Sequence, residues 1–273
     1  MEITIALLVG VAILSLFCEY MDASIGMGYG TTLTPLLLIF GLAPLQVIPA
    51  VLLGQLIGGA VGGIAHHRLG NIKLDFRRDE TIIKQRLRWL GYLPRSLDAK
   101  VVFILAGCGI IGALVGALTA LNIPKVALTT YIGVVVLGTG IVILWRRNYQ
   151  GSLSWKGLIG IGLLSSFNKG ISGGGYGPLV TGGQIISGRE ARSSVGSTTV
   201  AEAVVCIAGF LVYLLVKGDI FWTLAAATSI GSVIAGPMAA LTVRKINSAK
   251  LKIIIGFATI ILGAYTLLNT FVF

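Results

Sequence analysis

Charge is what this sequence has least of. Only 11% of its 273 residues are Asp, Glu, Lys or Arg, and 10 acidic residues stand against 21 basic ones. Soluble domains carry about 25% charged residues, so a fold with water on every side is excluded. Cysteine is scarce too. Cys18, Cys108 and Cys206 are odd in number, lack CxxC spacing and lie in apolar sequence, which excludes a disulfide framework and leaves them as small core residues. Histidine is limited to the adjacent His66 and His67. Neighbouring helical positions point about 100° apart, so they make a poor metal pair and read as packing residues at the membrane interface. No metal and no cofactor is expected. The period-2 alternation of a lipid-facing barrel is missing, and an open sheet would leave backbone groups unpaired in lipid.

What remains is 55% apolar and contains 38 glycines. Apolar runs near 20 residues recur along the chain, and a hydrocarbon core about 30 Å thick needs roughly 20 helical residues per crossing. The expectation is an all-α polytopic membrane protein with spans near 3–20, 29–40, 45–65, 101–121, 126–145, 155–167, 176–186, 195–216, 220–243 and 251–271. Residues 1–17 carry Glu2 where a signal peptide would be basic, so they read as a retained first span.

The ten expected spans fall into two sets of five. Gly26-Met27-Gly28-Tyr29-Gly30 reappears 147 positions later as Gly173-Gly174-Gly175-Tyr176-Gly177, and the register carries Gly41 onto Gly188 and Gly62 onto Gly209. Beyond His67 the offset falls to 123, carrying Gly133 onto Gly256 and Gly140 onto Gly263. One insertion, about 68–98, reconciles the registers. An odd number of spans per copy makes the second copy enter from the opposite side, which predicts two inverted five-helix repeats, 1–145 and 146–273.

Basic residues test that count, because cytoplasmic loops retain Lys and Arg. Nine fall between Arg68 and Lys100; the same side receives Arg146, Arg147, Lys156, Arg189, Arg192, Arg244, Lys245, Lys250 and Lys252. The other side has Lys125 and Lys217. Both termini should therefore face outside a cytoplasmic membrane. The net charge of +11 is explained as topology, with membrane lipid as the partner and no nucleic acid required. Within the long basic loop, Ile83, Leu87 and Leu90 suggest a short amphipathic helix on the inner leaflet, with a regulatory binding segment as the alternative. Gly54, Gly58 and Gly62, like Gly112 and Gly116, have the small-xxx-small spacing of helix-packing faces.

Spans two and seven are the shortest, and each follows a glycine motif. Glycine-interrupted short helices at matching places in two halves point to a transporter's substrate site. Glycine takes positive φ and admits a ligand close to the backbone, while the helix that follows aims unpaired N–H groups and a positive dipole end at it. Two such starts converging near the midplane suit a small oxyanion. The plainer reading is that these glycines only allow tight crossing. The candidate substrate-binding residues are Gly26, Gly28, Tyr29, Gly30, Thr31, Asn168, Lys169, Ser172, Gly173, Gly174, Gly175, Tyr176 and Gly177, with Thr198 and Thr199.

Intramembrane charge is costly and marks function or pairing. Lys169 either attracts the anion, pairs with Glu202, Asp22 or Glu19, or reaches the surface. Glu202 has Gln55 as its repeat counterpart, so the frame needs a hydrogen-bonding side chain there and only one copy can titrate. Proton coupling through Glu202 competes with a static ion pair, and Glu19 and Asp22 are further candidates.

In these residues the chain resembles the TauE/SafE family of sulfite-exporter-like permeases. Asp22 to Pro35, Lys169 to Pro178 and Gly196 to Thr199 carry the likeness: a glycine-rich motif, a proline-containing apolar helix and a Gly/Ser-Thr segment. Met27 and Tyr29 interrupt the family's glycine run. The resemblance implies a secondary transporter of small anions such as sulfite, sulfoacetate or thiosulfate, working by alternating access. A homodimer is compatible with it.

A passive anion channel is the main alternative, and a membrane scaffold without transport is another. Gly170-Ile171-Ser172-Gly173 matches the GxSG of rhomboid-type proteases, but no histidine follows His67 to act as base, so no enzyme is expected.

Overall fold

A computed structural model of the chain describes residues 5–76, 94–145, 154–187, 189–243 and 248–272. These residues form ten α-helices and no strand. The first five are α1 (Ile5–Ile25), α2 (Tyr29–Ile39), α3 (Pro44–Arg68), α4 (Leu97–Asn122) and α5 (Lys125–Trp145). The second five are α6 (Trp155–Ser172), α7 (Tyr176–Ile186), α8 (Ala191–Val212), α9 (Trp222–Thr242) and α10 (Ser248–Val272). Among the described residues, six stretches are long and apolar enough to cross a membrane: α1, α3, α4, α9, Lys125–Val142 of α5, and α8 with the π-helical turn Tyr213–Lys217 that extends it. The amphipathic helix expected around Ile83 lies outside the described residues.

Local chemistry sets the helix ends. Ser96 accepts from Ala99 N at 3.2 Å to start α4, Ser154 accepts from Gly157 N at 3.3 Å to start α6, and Pro44 opens α3, where a missing N–H costs nothing. α1 and α6 run five residues further than expected, to Ile25 and Ser172. Each stops at a left-handed glycine: Gly26 (φ 78°) donates to Asp22 O at 2.6 Å, and Gly173 (φ 74°) donates to Lys169 O at 2.8 Å.

The helix starts repeat at the offsets seen in the sequence. Tyr29 and Tyr176, and Pro44 and Ala191, lie 147 apart, while Lys125 and Ser248 lie 123 apart. The packing repeats as well. α1 packs on α9 and α6 on α4; α3 packs on α9 and α8 on α4; α3 meets α8, and α5 meets α10. Exchanging the two sets of five turns this list into itself. Each set's first helix therefore lodges against the other set's fourth, and the sets interlock.

Small residues let these helices approach. Gly62 lies against Gly236, and a Cβ on Gly112 or Gly116 would come within 3.0 Å of Phe167 N or Ile171 N, as close helix packing requires. His66 is fully buried. Its Nε2 donates to Ala23 O at 2.8 Å and its Nδ1 accepts from Asn71 Nδ2 at 3.1 Å, while Asn71 also donates to Ala240 O at 2.9 Å. It is an interior tie between α1, α3 and α9 instead of the interfacial residue its position suggested.

Candidate functional site

The two glycine motifs are helix breaks, and they cross. α1 gives way to α2 over Gly26–Gly28 and α6 gives way to α7 over Gly173–Gly175, with positive φ at Gly26, Gly28 (130°), Gly173 and Gly175 (79°). These are the same positions in the two copies, and an L side chain is strained at each. A Cβ on Gly174 would lie 2.8 Å from Gly30 C and Thr31 N; one on Gly177 would lie 2.5 Å from Gly26 O and 2.9 Å from Met27 Cα. Backbone touches backbone there. Thr34 Oγ1 borders Gly173, and its counterpart Thr181 donates to Gly26 O at 2.8 Å, so each short helix also reaches the opposite break with a threonine.

A buried polar chain flanks the crossing. Asp22 Oδ2 accepts from Gln55 Nε2 at 2.9 Å, Gln55 Oε1 accepts from Lys169 Nζ at 3.4 Å, and Lys169 pairs with Glu202 Oε1 at 2.8 Å. Asp22 and Lys169 lie 147 positions apart, as do Gln55 and Glu202, the offset that also separates the glycine breaks. Asp22 Oδ1 also accepts from Tyr29 N at 3.2 Å and so satisfies the start of α2. Gly175 has no side chain to cap the start of α7, and among the described residues Lys169 stands in the place of that aspartate. The Lys169 ammonium lies 6.0 Å from the centre of the Tyr29 ring.

Buried polar atoms nearly always find partners. Here Thr31 Oγ1, Thr34 Oγ1, Tyr176 Oη, Glu202 Oε2 and both Glu19 carboxyl oxygens have no hydrogen-bond partner among the described residues. Glu19 is completely buried and lies against Gly58.

Other expected residues have local work. Tyr29 bonds Ser15 Oγ and Ser232 Oγ, each at 3.0 Å. Asn168 Oδ1 accepts from Tyr131 Oη at 2.5 Å; Ser172 Oγ donates to Asn168 O at 2.6 Å and accepts from Gly174 N at 3.1 Å, closing the second break. Thr198 joins the site through Thr181, 2.9 Å away. Thr199 donates to Val195 O of its own helix, packs beside Gly62 of α3, and is not brought to the crossing. Thr34 and Thr181 escaped the sequence reading, although the offset of 147 joins them; so did the equivalence of Asp22 and Lys169.

Thr198 continues a second polar network toward the start of α8. Gln184 Nε2 donates to Thr198 Oγ1 at 2.9 Å, Ser197 Oγ donates to Gln184 Oε1 at 2.9 Å, and Arg189 donates to Gln184 Oε1 and, at 3.1 Å, to Ser197 Oγ. Arg189 also forms an ion pair with Asp98 at the start of α4. Burial pulls the Arg189 guanidinium below its ordinary pKa, and the Asp98 carboxylate opposes that shift. On the far side of the molecule, a cavity of about 320 Å³ is lined by Leu38, Leu42, Lys125, Thr129, Thr266 and Asn269. Among the described residues no three His, Cys, Asp or Glu side chains are grouped to hold a metal ion.

A broken-helix crossing with buried charge is transporter geometry, and comparison with known proteins agrees. The profile of the family described as "Sulfite exporter TauE/SafE" matches residues 87–266. A Bacillus subtilis (strain 168) protein named "Probable membrane transporter protein YtnM" is 28% identical across 96% of this chain and 83% of its own length. No solved structure matches the chain. Family and relative point to a transporter rather than an enzyme. The chain belongs to the sulfite exporter TauE/SafE family and is a multi-pass membrane transporter.

Proposed function

We propose that this transporter is a secondary carrier of a small anion: sulfite, thiosulfate, sulfoacetate or a related organosulfur or carboxylate ion. Its two five-helix repeats, 1–145 and 146–273, have inverted topology in the cytoplasmic membrane, with both termini outside. The packing pairs that survive exchange of the two sets support this architecture, as does the crowding of basic residues at one set of helix ends.

The observation that carries the reading is the crossing of the two glycine breaks beside the Asp22–Gln55–Lys169–Glu202 chain. The anion binds at the start of α7, where Gly175, Tyr176 and Gly177 present backbone N–H groups that no side chain caps. Unpaired Thr31 and Tyr176 hydroxyls supply further donors. Lys169 provides the attracting charge once Glu202 releases it. A proton on Glu202 is that release, which moves a proton with the anion; Glu19 and Asp22 are the neighbouring groups that tune it. Backbone contact between the breaks supports a carrier over an open pore, because these segments must separate before anything passes.

Uptake of labelled sulfite, thiosulfate and sulfoacetate into proteoliposomes, with and without a pH gradient, tests the proposal. The expected result is saturable uptake with counterflow, lost in Lys169→Met and made insensitive to the gradient in Glu202→Gln. High conductance in planar bilayers without saturation would overturn it.

A further inference from the structure

We propose that Arg189, with Gln184 and Ser197, forms a second oxyanion-binding subsite where the path opens on the basic face, and that the Asp98 carboxylate fills it in this closed structure. The inference rests on the anion-carrier reading and adds a place where the anion is held before it reaches the glycine crossing.

Arg189 is 8% exposed, and its guanidinium is held on three sides by Gln184, Ser197 and Asp98. A fixed, buried guanidinium is the group best matched to a carboxylate, sulfonate or sulfite oxygen pair. A carboxylate already occupies it, supplied by the first turn of α4 and steadied by Lys73 N at 2.9 Å. Asp98 is thus an internal anion in the position that an external one would take.

From Arg189 the donors lead inward without interruption. Ser197 and Gln184 connect to Thr198, Thr198 to Thr181, and Thr181 to the carbonyl of Gly26 at the first break. The pseudo-equivalent face shows that the fold does not require these residues. The offset of 147 carries Arg189 onto Leu42, Gln184 onto Leu37, Ser197 onto Ala50 and Thr198 onto Val51, all members of one apolar cluster. At those four positions one end of the molecule is packed with apolar side chains. The other is closed by an ion pair that a competing anion can open.

Purified full-length protein, assayed for binding of sulfite, thiosulfate and sulfoacetate by ligand-induced melting shift and for their uptake in proteoliposomes, decides the matter. Asp98→Asn removes the internal competitor and should tighten apparent affinity by roughly tenfold, as removal of an occluding state does. Arg189→Gln should weaken affinity roughly ten- to a hundredfold, the worth of one charged hydrogen-bonded contact. The exchange Asp98→Arg with Arg189→Asp should recover melting temperature without recovering affinity. If the exchanged protein binds and transports like wild type, or Asp98→Asn leaves affinity unchanged, the pair is only a structural clasp and the subsite is refuted. Wild-type protein that neither binds nor takes up any of the three anions overturns the carrier reading, and the subsite with it.

Discussion

Replacing Lys169 with methionine probes the buried polar chain at its middle. Methionine keeps the length and flexibility of the side chain and removes the only ammonium beside Asp22, Gln55 and Glu202. The pair itself adds little net stability, because two ions have left water to form it. Removing one partner is different: the Glu202 carboxylate stays fully buried, loses its 2.8 Å contact, and already has one oxygen without a partner. Breaking such a pair costs about 3–5 kcal/mol. For a chain of this size that is a fall in melting temperature of roughly 6–20 °C. Glu202→Gln should cost only about 1 kcal/mol, since an amide still accepts from Lys169, as Gln55 does on the symmetric side. The double variant should recover about 2 kcal/mol relative to Lys169→Met, which with the cost of Glu202→Gln makes a coupling of about 3 kcal/mol, the upper end for residues in direct contact. Melting of the four proteins in detergent, followed by loss of the monodisperse peak, measures the cycle. A Lys169→Met protein that melts with wild type, or single effects that simply add, would refute the reasoning.

Gly177→Ala should prevent folding or cost at least about 3 kcal/mol, because its Cβ would meet Gly26 O and Met27 Cα, both backbone. Gly182→Ala, in the same helix with open space around it, should be neutral or stabilising by about 1 kcal/mol; equal expression and melting of the two would remove the case for a tight crossing. Glu19→Gln should melt within about 1 kcal/mol of wild type, since neither carboxyl oxygen makes a hydrogen bond that an amide would break. A large loss would reveal an essential partner. Single cysteines introduced at Lys125 and Arg192 should react with membrane-impermeant thiol reagents from opposite sides of the membrane, and labelling from one side would sink the inverted topology.

The sequence made the helices legible because apolar runs and glycine breaks are local. Tyr29–Ile39 and Tyr176–Ile186 were expected almost to the residue. The ends of α1 and α6 were placed five residues short, because Asp22 and Lys169 look like span boundaries until their partners are known. Those partners lie on α3 and α8, and periodicity within one helix cannot see across to another. Gln55 and Glu202 were matched through the offset of 147, yet the same offset that joins Asp22 to Lys169 and Thr34 to Thr181 went unread, since the first pair shares no chemistry and the second lies past the glycines. Thr199 was included as Thr198's neighbour, but consecutive helical residues point about 100° apart and only one can face the crossing. Arg189 served only as a charge for topology. Its partner Asp98 is 91 positions away, and only the packing of α4 against α8 brings them together.

If the two sets of five helices are repeats, as proposed, each position of the site has a natural control 147 residues away, and the comparison separates what the frame needs from what the function needs. Positive φ at Gly26 and Gly173, and at Gly28 and Gly175, is common to both copies; so are the threonines that reach the opposite break. These belong to the frame. At four positions of the site the two sets differ. Asp22 faces Lys169, Gln55 faces Glu202, and Leu37 and Leu42 answer Gln184 and Arg189. The copy that contributes α2 satisfies its own helix start with Asp22 and closes its end with leucine. The set that contributes α7 has a cation where that aspartate would be, has no side-chain cap at the helix start among the described residues, and lines its end with donors held by the Arg189–Asp98 ion pair. An equal-sided carrier would need none of this asymmetry. The same anion is therefore expected to meet different resistance from the two faces, with entry from the basic face limited by displacing Asp98 and entry from the other limited by separating packed leucines. The Asp98→Asn variant should then lower the half-saturating anion concentration on the basic face more than that on the opposite face, and equal lowering on both faces would refute a barrier set by Asp98 at one end.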